Sequence, residues 1–319
     1  MVRAVAATAY GGTEVIEVID VESRAPESDE VTIAVRAAAL NRWDAKQAAG
    51  AAGTDPAKLP VRLGSEAAGV ITAAGADAVS LEGEQLAVGD EVYGHKLRGA
   101  QASELTVKAG LLLRKPAHRS FVEASGLLSN GTTAVHALEA VSVGEGDTLL
   151  LHSASGAVGW LVAQLARLRG ARVIGTASER NHDELRSLGV EPVSYGEGLL
   201  DRVRTLAPDG VDAAIDTVGT DEAVTVSLAV LHDPARLVTI ANAQFEAVLA
   251  AGGQAIGGGA GADPGTAIRD AARLTLAKFF ADDAIGVDVA RTFPLEEARA
   301  AYELLVTGHA GGKVVLEPR

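Results

Sequence analysis

The segment Asp147-Thr-Leu-Leu-Leu-His-Ser-Ala-Ser-Gly-Ala-Val-Gly-Trp160 constrains the fold more than any other stretch of this chain. A short apolar strand, Thr148 to Leu151, runs into a turn of small residues. A helix then opens with Gly156 and Gly159 in its first turn and continues to about Arg169. The spacing is G-x-G-x-x-G with Ala154 in the place of the first glycine. A helix N-terminus carries unpaired N–H groups and a partial positive charge, which suits a pyrophosphate. Side chains missing at Gly156 and Gly159 let a phosphate approach and let the helix lie close on its strand. Ala154, Ser155, Gly156, Ala157, Val158 and Gly159 are therefore candidate cofactor-binding residues. The competing reading is a tight structural turn.

The chain beyond Trp160 argues for the nucleotide. Strands are expected near 148–153, 171–177, 190–194, 211–216 and 236–241, with a helix after each of the first four. Such alternation implies right-handed crossovers and a doubly wound parallel sheet, with a ligand outside the carboxyl ends of the strands. That places Ala241, just past the fifth strand, among the cofactor candidates. Residues 1 to about 120 read differently. Short alternating runs at 14–19, 31–37, 68–73, 90–93 and 104–107 are separated by Gly, Pro and Asp turns. The stretch 48–60 reads as a loop, and Ser120 with Glu123 forms a capping box that starts a helix. After Ala241, residues 252–265 are glycine-rich without periodicity, either a loop over the cofactor or a surface segment. The tail reads as a strand, a helix over 295–307 and a last strand over 313–316 that rejoins the β-rich part. The expected division is a β-rich domain over 1–120, completed by 266–319, and a dinucleotide-binding domain over 121–265.

The second strand of the sheet bears on cofactor choice. A site for the unphosphorylated cofactor places Asp or Glu at its end, to accept from the ribose 2′-OH. Here Ser178 stands nineteen residues past Gly159, followed by Glu179 and Arg180. Serine does not repel a 2′-phosphate, and Arg180 can grip one through a charge-assisted fork. Tyr195, after the third strand, adds a hydroxyl to the same region. The reading is NADPH over NADH. It weakens if the Glu179 side chain points inward, and Arg180 has a plainer alternative as a solvated surface charge.

Composition bounds the partners. At 319 residues there is room for two domains, each with its own core. A formal net charge of −14 argues against nucleic acid or an anionic membrane as a main partner. With no cysteine there is no disulfide scaffold, thiolate metal site or thiol nucleophile. No apolar run suits a signal peptide or a membrane span, so a cytoplasmic protein is expected.

Together these pieces resemble the zinc-free quinone oxidoreductase (zeta-crystallin-like) branch of the medium-chain dehydrogenase/reductase superfamily. The resemblance covers nearly the whole chain. It rests on Tyr10-Gly-Gly, Ala39-Leu-Asn41 before Asp44, Leu63-Gly-Ser-Glu-Ala-Ala-Gly69 and Val88-Gly-Asp-Glu-Val-Tyr-Gly94. It continues through Gly131-Thr-Thr-Ala134, the G-x-G-x-x-G-like turn, Asp216-Thr-Val-Gly219, residues 291–298 and Gly312-Lys-Val-Val-Leu316. It implies an α/β fold: a Rossmann domain with a doubly wound parallel sheet, plus a β-rich GroES-like catalytic domain.

The superfamily's zinc alcohol dehydrogenases place cysteine and histidine where this chain has Asn41 and Ser65, leaving only Glu66 nearby. Three protein ligands are needed for a catalytic zinc, so none is expected. Without that Lewis acid alcohol oxidation is disfavoured. The branch instead implies hydride transfer from a nicotinamide lying between the domains to a quinone. The nearest alternative is a 2-alkenal or enone (enoyl) double-bond reductase; of another class is a non-catalytic NADPH-binding structural or sensor protein. RNA binding is disfavoured by the acidic charge.

Asn41 is the first candidate for a polar group beside the substrate carbonyl, against an Asx-turn role. Thr133 resembles a family residue that faces the nicotinamide, against simple helix packing. Asp44 either orients a neighbour or serves as a helix N-terminal acid, and Trp43 is a stacking wall or core. Lys313 is expected to pin the last strand, and Glu66 to be structural. A small-molecule electrophile and a homodimer complete the expected partners.

Overall fold

The computed structural model describes residues 1–318. The chain packs as two compact units, Met1–Ser129 with the segment from Leu276 onward, and Asn130–Thr275.

The first unit opens with β1 (Val2–Ala7), β2 (Ile16–Val21), β3 (Glu30–Ala39), α1 (Arg42–Ala48) and β4 (Val61–Arg62). It continues with β5 (Glu66–Ala74), β6 (Glu91–His95), β7 (Glu104–Lys108), β8 (Leu112–Arg114) and α2 (Phe121–Ser125). β1 pairs antiparallel with β2 and β4 in a small sheet. β3 is the spine of the larger one, flanked by β5 and β7. Almost every β3 residue is buried, which its run of Val, Ile and Ala permits: both faces are covered and small side chains let neighbours approach. Ser120 caps α2 as expected, accepting from the Glu123 N–H at 3.1 Å while the Glu123 carboxylate accepts from Ser120 N–H at 3.2 Å.

The second unit follows, with α3 (Leu128–Ala140), β9 (Thr148–His152), α4 (Ala157–Leu168), β10 (Arg172–Ala177), α5 (His182–Ser187) and β11 (Glu191–Ser194). After these come α6 (Leu199–Leu206), β12 (Ala213–Asp216), α7 (Asp221–Val230), β13 (Leu237–Thr239), α8 (Phe245–Ala250), β14 (Gln254–Ala255) and α9 (Thr266–Ala281). Its six strands lie in the order β11-β10-β9-β12-β13-β14, and all are parallel. The chain therefore builds outward from β9 in one direction and then the other, with the order reversing between β9 and β12. In such sheets ligands lie at that switch point, outside the carboxyl edge. Leu150, Ile174, Ala214 and Leu237 anchor the apolar layer against α6 and α7.

Several elements are not foreseen from the sequence, among them α8, β14 and α9. β14 has only two residues, paired as Val238↔Gln254 and Thr239↔Ala255, too few to carry a period. Helix α9 carries a readable signal: Ala272, Leu276, Ala277 and Phe280 are buried at helical spacing. Finally β15 (Val289–Pro294), α10 (Ala298–Thr307) and β16 (Lys313–Glu317) return to the first unit. There β16 pairs antiparallel with β3 and parallel with β15, completing a seven-stranded sheet. No helix among the described residues is long and apolar enough to cross a membrane.

One buried group sets a pH dependence. His152, at the end of β9, is pushed down to about 4 by burial, which outweighs the nearby Asp216 and Glu222 carboxylates. Its Nε2 lies 3.0 Å from the Ser227 hydroxyl. An unfolded histidine takes a proton below about 6.5 while the folded one stays neutral to about 4, so stability falls as pH drops across that window. Relative to His152→Gln, the parent should lose roughly 3 kcal/mol between those limits. Denaturant titrations at several pH values measure this, and a pH-independent difference would contradict it.

Candidate active site

In the second unit the strand–turn–helix lies where the sequence places it. After β9 the backbone turns through Ser153, which adopts a left-handed φ of 60°. Gly156 is the N-cap of α4, and no side chain caps the helix there. The N–H groups of the first turn are therefore left for a ligand. A Cβ on Gly159 would sit 2.1 Å from the Ser153 carbonyl oxygen, so the helix can approach β9 only with glycine there. Ala154 is fully buried, its N–H donating to the Thr176 carbonyl at 2.9 Å. Ser155 accepts from the Asn181 amide at 2.8 Å, tying the turn to the segment after β10. Ala157 and Val158 form the first turn of α4.

The remaining cofactor candidates gather at the same edge because every strand of the sheet is parallel. Ala177 and Ser194 pair at the carboxyl ends of β10 and β11, so Ser178 and Tyr195 follow neighbouring strand ends. Tyr195 and Arg180 are exposed, and the Glu179 carboxylate accepts from the Ser194 hydroxyl at 3.4 Å. Ala241 follows β13, its N–H donating to Thr239 at 3.1 Å. Asp216, at the end of β12, accepts from the N–H groups of Val218 and Gly219 at 2.9 Å each and from the Thr239 hydroxyl at 2.7 Å. It shapes this edge.

Thr133 lies on α3 and its hydroxyl accepts from Arg269 of α9 at 3.2 Å. Arg269 also donates through Nε to Nδ1 of buried His136 at 3.3 Å. The His136 Nε2 faces Asp263 at 3.2 Å. Burial and the Arg269 charge lower the His136 pKa, keeping the ring neutral with its proton on the Asp263 side. Arg269 belongs to α9, which the sequence reading leaves out.

In the first unit Asn41 is buried at the N-terminus of α1 and is held from several directions. Its Oδ1 accepts from the Lys313 ammonium at 2.6 Å, and its Nδ2 donates to Glu66 at 3.0 Å. Lys313 also pairs with Glu66 at 2.7 Å, both side chains almost wholly buried. The second Glu66 oxygen accepts from the Ser129 N–H at 2.9 Å. Lys313 does pin β16, and in doing so it fixes the Asn41 amide with Oδ1 toward the cation. Nδ2 retains one further N–H, whose contact with the Ser65 hydroxyl is long, at 3.4 Å. Asp44 is buried and accepts from the Asn41 backbone N–H at 2.9 Å and from Gln101 at 3.3 Å. Burial pushes its carboxyl up to about 7, against the Asn41 N–H and the Lys313 charge. Trp43, 45% exposed, is surface rather than core.

A profile of the alcohol dehydrogenase GroES-like domain matches residues 27–136, and one of the zinc-binding dehydrogenases matches 188–316. The NADPH-dependent alkenal/one oxidoreductase of Arabidopsis thaliana chloroplasts is 30% identical, over 97% of this chain and 78% of its own length. The chain belongs to the medium-chain dehydrogenase/reductase superfamily. The quinone oxidoreductase of Coxiella burnetii superposes with a TM-score of 0.79 at 28% identity, over 100% of this chain and 99% of that one. This is accordingly an oxidoreductase of the zinc-free quinone oxidoreductase branch, and a nicotinamide cofactor goes with that membership. A mycocerosic acid synthase-like polyketide synthase of Mycolicibacterium smegmatis is 33% identical over 72% of this chain, which spans only 11% of that synthase.

The zinc-binding description of the second profile does not fit the residues of this medium-chain reductase. Asn41 and Ser65 are poor zinc ligands, and the Glu66 carboxylate is spent on Lys313, Asn41 and Ser129. The Lys313 ammonium puts a positive charge beside the one suitable oxygen donor. Among the described residues no group of three His, Asp or Glu is placed to hold a metal ion.

Proposed function

We propose that this chain is an NADPH-dependent reductase that transfers hydride to quinones without a metal. The observation that carries the reading is the Asn41 amide, clamped by the buried Lys313–Glu66 pair in place of a metal centre. A bound reduced nicotinamide supplies the hydride. The chain supplies a fixed donor. With Oδ1 held by Lys313, the Asn41 Nδ2 keeps an N–H for an acceptor's carbonyl oxygen, where negative charge grows as hydride arrives. Because the clamp is preorganised, little reorientation accompanies the reaction. The proton for the reduced oxygen comes from solvent.

The carboxyl edge of the second unit fits the dinucleotide. The open N-terminus of α4 and Gly156 would hold the pyrophosphate, with Ala154, Ser155, Ala157, Val158, Gly159 and Ala241 lining the approach. Ser178, Arg180 and Tyr195 would take the 2′-phosphate, and Thr133, fixed by Arg269, would face the nicotinamide. Replacing Arg180 with alanine should weaken NADPH binding by about tenfold or more, the value of one charge-assisted contact, and change NADH binding little. Calorimetric titration with both cofactors measures this, and equal weakening of the two would remove the specificity argument.

A second reading, reduction of 2-alkenals and enones, has support in the Arabidopsis relative. The same Asn41 donor serves a conjugated carbonyl equally well. NADPH oxidation by the protein with planar quinones and 2-alkenals in parallel, and NADH as control, separates the two. Quinone turnover with NADPH preferred supports the main reading, and alkenal turnover alone moves the function to double-bond reduction. Tight NADPH binding without turnover of either class favours a binding protein or sensor instead. We further propose a cytoplasmic homodimer, which cell fractionation and light scattering would check.

A further inference from the structure

We propose that the cavity beside Asn41 selects electrophiles that carry an oxyanion, a carboxylate or a phosphate, on a planar apolar body. This deepens the reductase reading and rests on it for the reaction, though not for the binding. The cavity lies wholly within the first unit and has a volume of about 780 Å³. Ser65, which lines it, is the residue 3.4 Å from the Asn41 amide, so the cavity adjoins the proposed donor.

Its charge runs against the rest of the molecule. The chain carries 42 acidic against 28 basic side chains, yet Lys58, Arg62, Lys96 and Arg98 all line this one cavity. Asp44 is the only carboxylate among the lining residues, and it is buried and engaged by Asn41 and Gln101. A concave site lined by one sign of charge concentrates the opposite ion. Two details point to construction rather than a solvated surface. Lys96 holds a left-handed φ of 66°, a conformation that a lysine adopts only where its surroundings impose it. The Nε of Arg62 is buried without a hydrogen-bond acceptor, while its Nη2 donates to the Gly99 carbonyl at 3.2 Å. An oxyanion entering the cavity would gain charge-assisted bonds from the cationic side chains that line it. Tyr10 and the half-exposed Trp43 supply aromatic surface in the same lining, which suits a planar ligand.

The test titrates the full-length protein with 2-naphthoate, 2-naphthyl phosphate and uncharged methyl 2-naphthoate by calorimetry. The anions should bind at least about tenfold more tightly than the ester, and lose that advantage as ionic strength rises from about 0.02 to about 0.3 M. The preferred anion tells carboxylate from phosphate. The double variant Lys96→Gln, Arg98→Gln, at exposed positions, should close most of the gap between anion and ester. Equal affinity for anion and ester in the parent protein, or a preference untouched by both salt and the double substitution, overturns the proposal. Turnover of 1,4-naphthoquinone-6-carboxylate against its methyl ester then addresses the reaction. A lower KM for the acid extends the proposal to catalysis. Salt-sensitive anion binding with no reduction of either quinone leaves the cavity assignment standing and counts against the reductase reading alone.

Discussion

Replacing Lys313 with methionine is expected to destabilise the protein by about 3–5 kcal/mol, the usual effect of stranding one member of a buried ion pair. The reason is local and severe. Lys313 and Glu66 are 2% and 1% exposed as side chains and 2.7 Å apart, so the substitution leaves a buried carboxylate without its counter-charge. It also removes the donor to the Asn41 Oδ1. Adding Glu66→Gln should recover part of the loss. The charge disappears, while the new amide can still accept from Ser129 and meet Asn41 once that amide is free to turn. Denaturant unfolding of the single and double variants measures both effects. A single variant within about 1 kcal/mol of the parent would mean that the pair is hydrated in solution and does not hold Asn41. The chemical consequence is separable from the structural one. Lys313→Arg retains the charge with a different fork, and it should disturb kcat more than folding because Asn41 is re-aimed rather than released.

Replacing Gly156 with valine should abolish binding of both NADPH and NADH, a loss of at least about a hundredfold, with the fold retained. A Cβ at that position meets the Ser153 hydroxyl at 2.9 Å, a side chain that can rotate, and the Ser153 carbonyl at 3.3 Å. The turn can therefore accommodate the change, but the branched side chain would occupy the space over the N–H groups of α4 that a pyrophosphate needs. Gly159 behaves differently. There a Cβ would lie 2.1 Å from a backbone oxygen, so substitution should damage folding itself. Calorimetric titration with each cofactor, alongside a thermal melt, reads the contrast. Unchanged affinity in a folded Gly156→Val protein would show that the helix N-terminus is not where the phosphates sit.

The parallel sheet and the turn after β9 were legible because their signals are local. A strand period giving way to small residues and then a helix period needs no distant partner to be recognised. Each strand of the second unit except β14 follows that rule, and the parallel pairing then forces Ser178, Tyr195 and Ala241 to one edge. Asn41 stood out in the sequence as a candidate only through its place in a motif; its burial against Lys313 and Glu66 did not show there.

The sequence by itself thus determined the alternation that builds the nucleotide-type sheet, the glycines that open its first helix, and the lack of a Cys- and His-based zinc set around Asn41. Only the tertiary structure decided the surroundings. Asn41 and Lys313 are 272 positions apart, and Asn41 and Glu66 are 25 apart, with no periodic signal to link them. They meet because β16 pairs with β3, placing Val315 opposite Ala39 and bringing the start of β16 beside the N-terminus of α1. The four cations around the cavity stand in the sequence as two separate pairs, Lys58 with Arg62 and Lys96 with Arg98, and come to share one cavity only when folded. Burial gives the Lys313–Glu66 pair its force: removed from water, a charge must be answered by whatever the fold brings to it, and no local pattern encodes that answer.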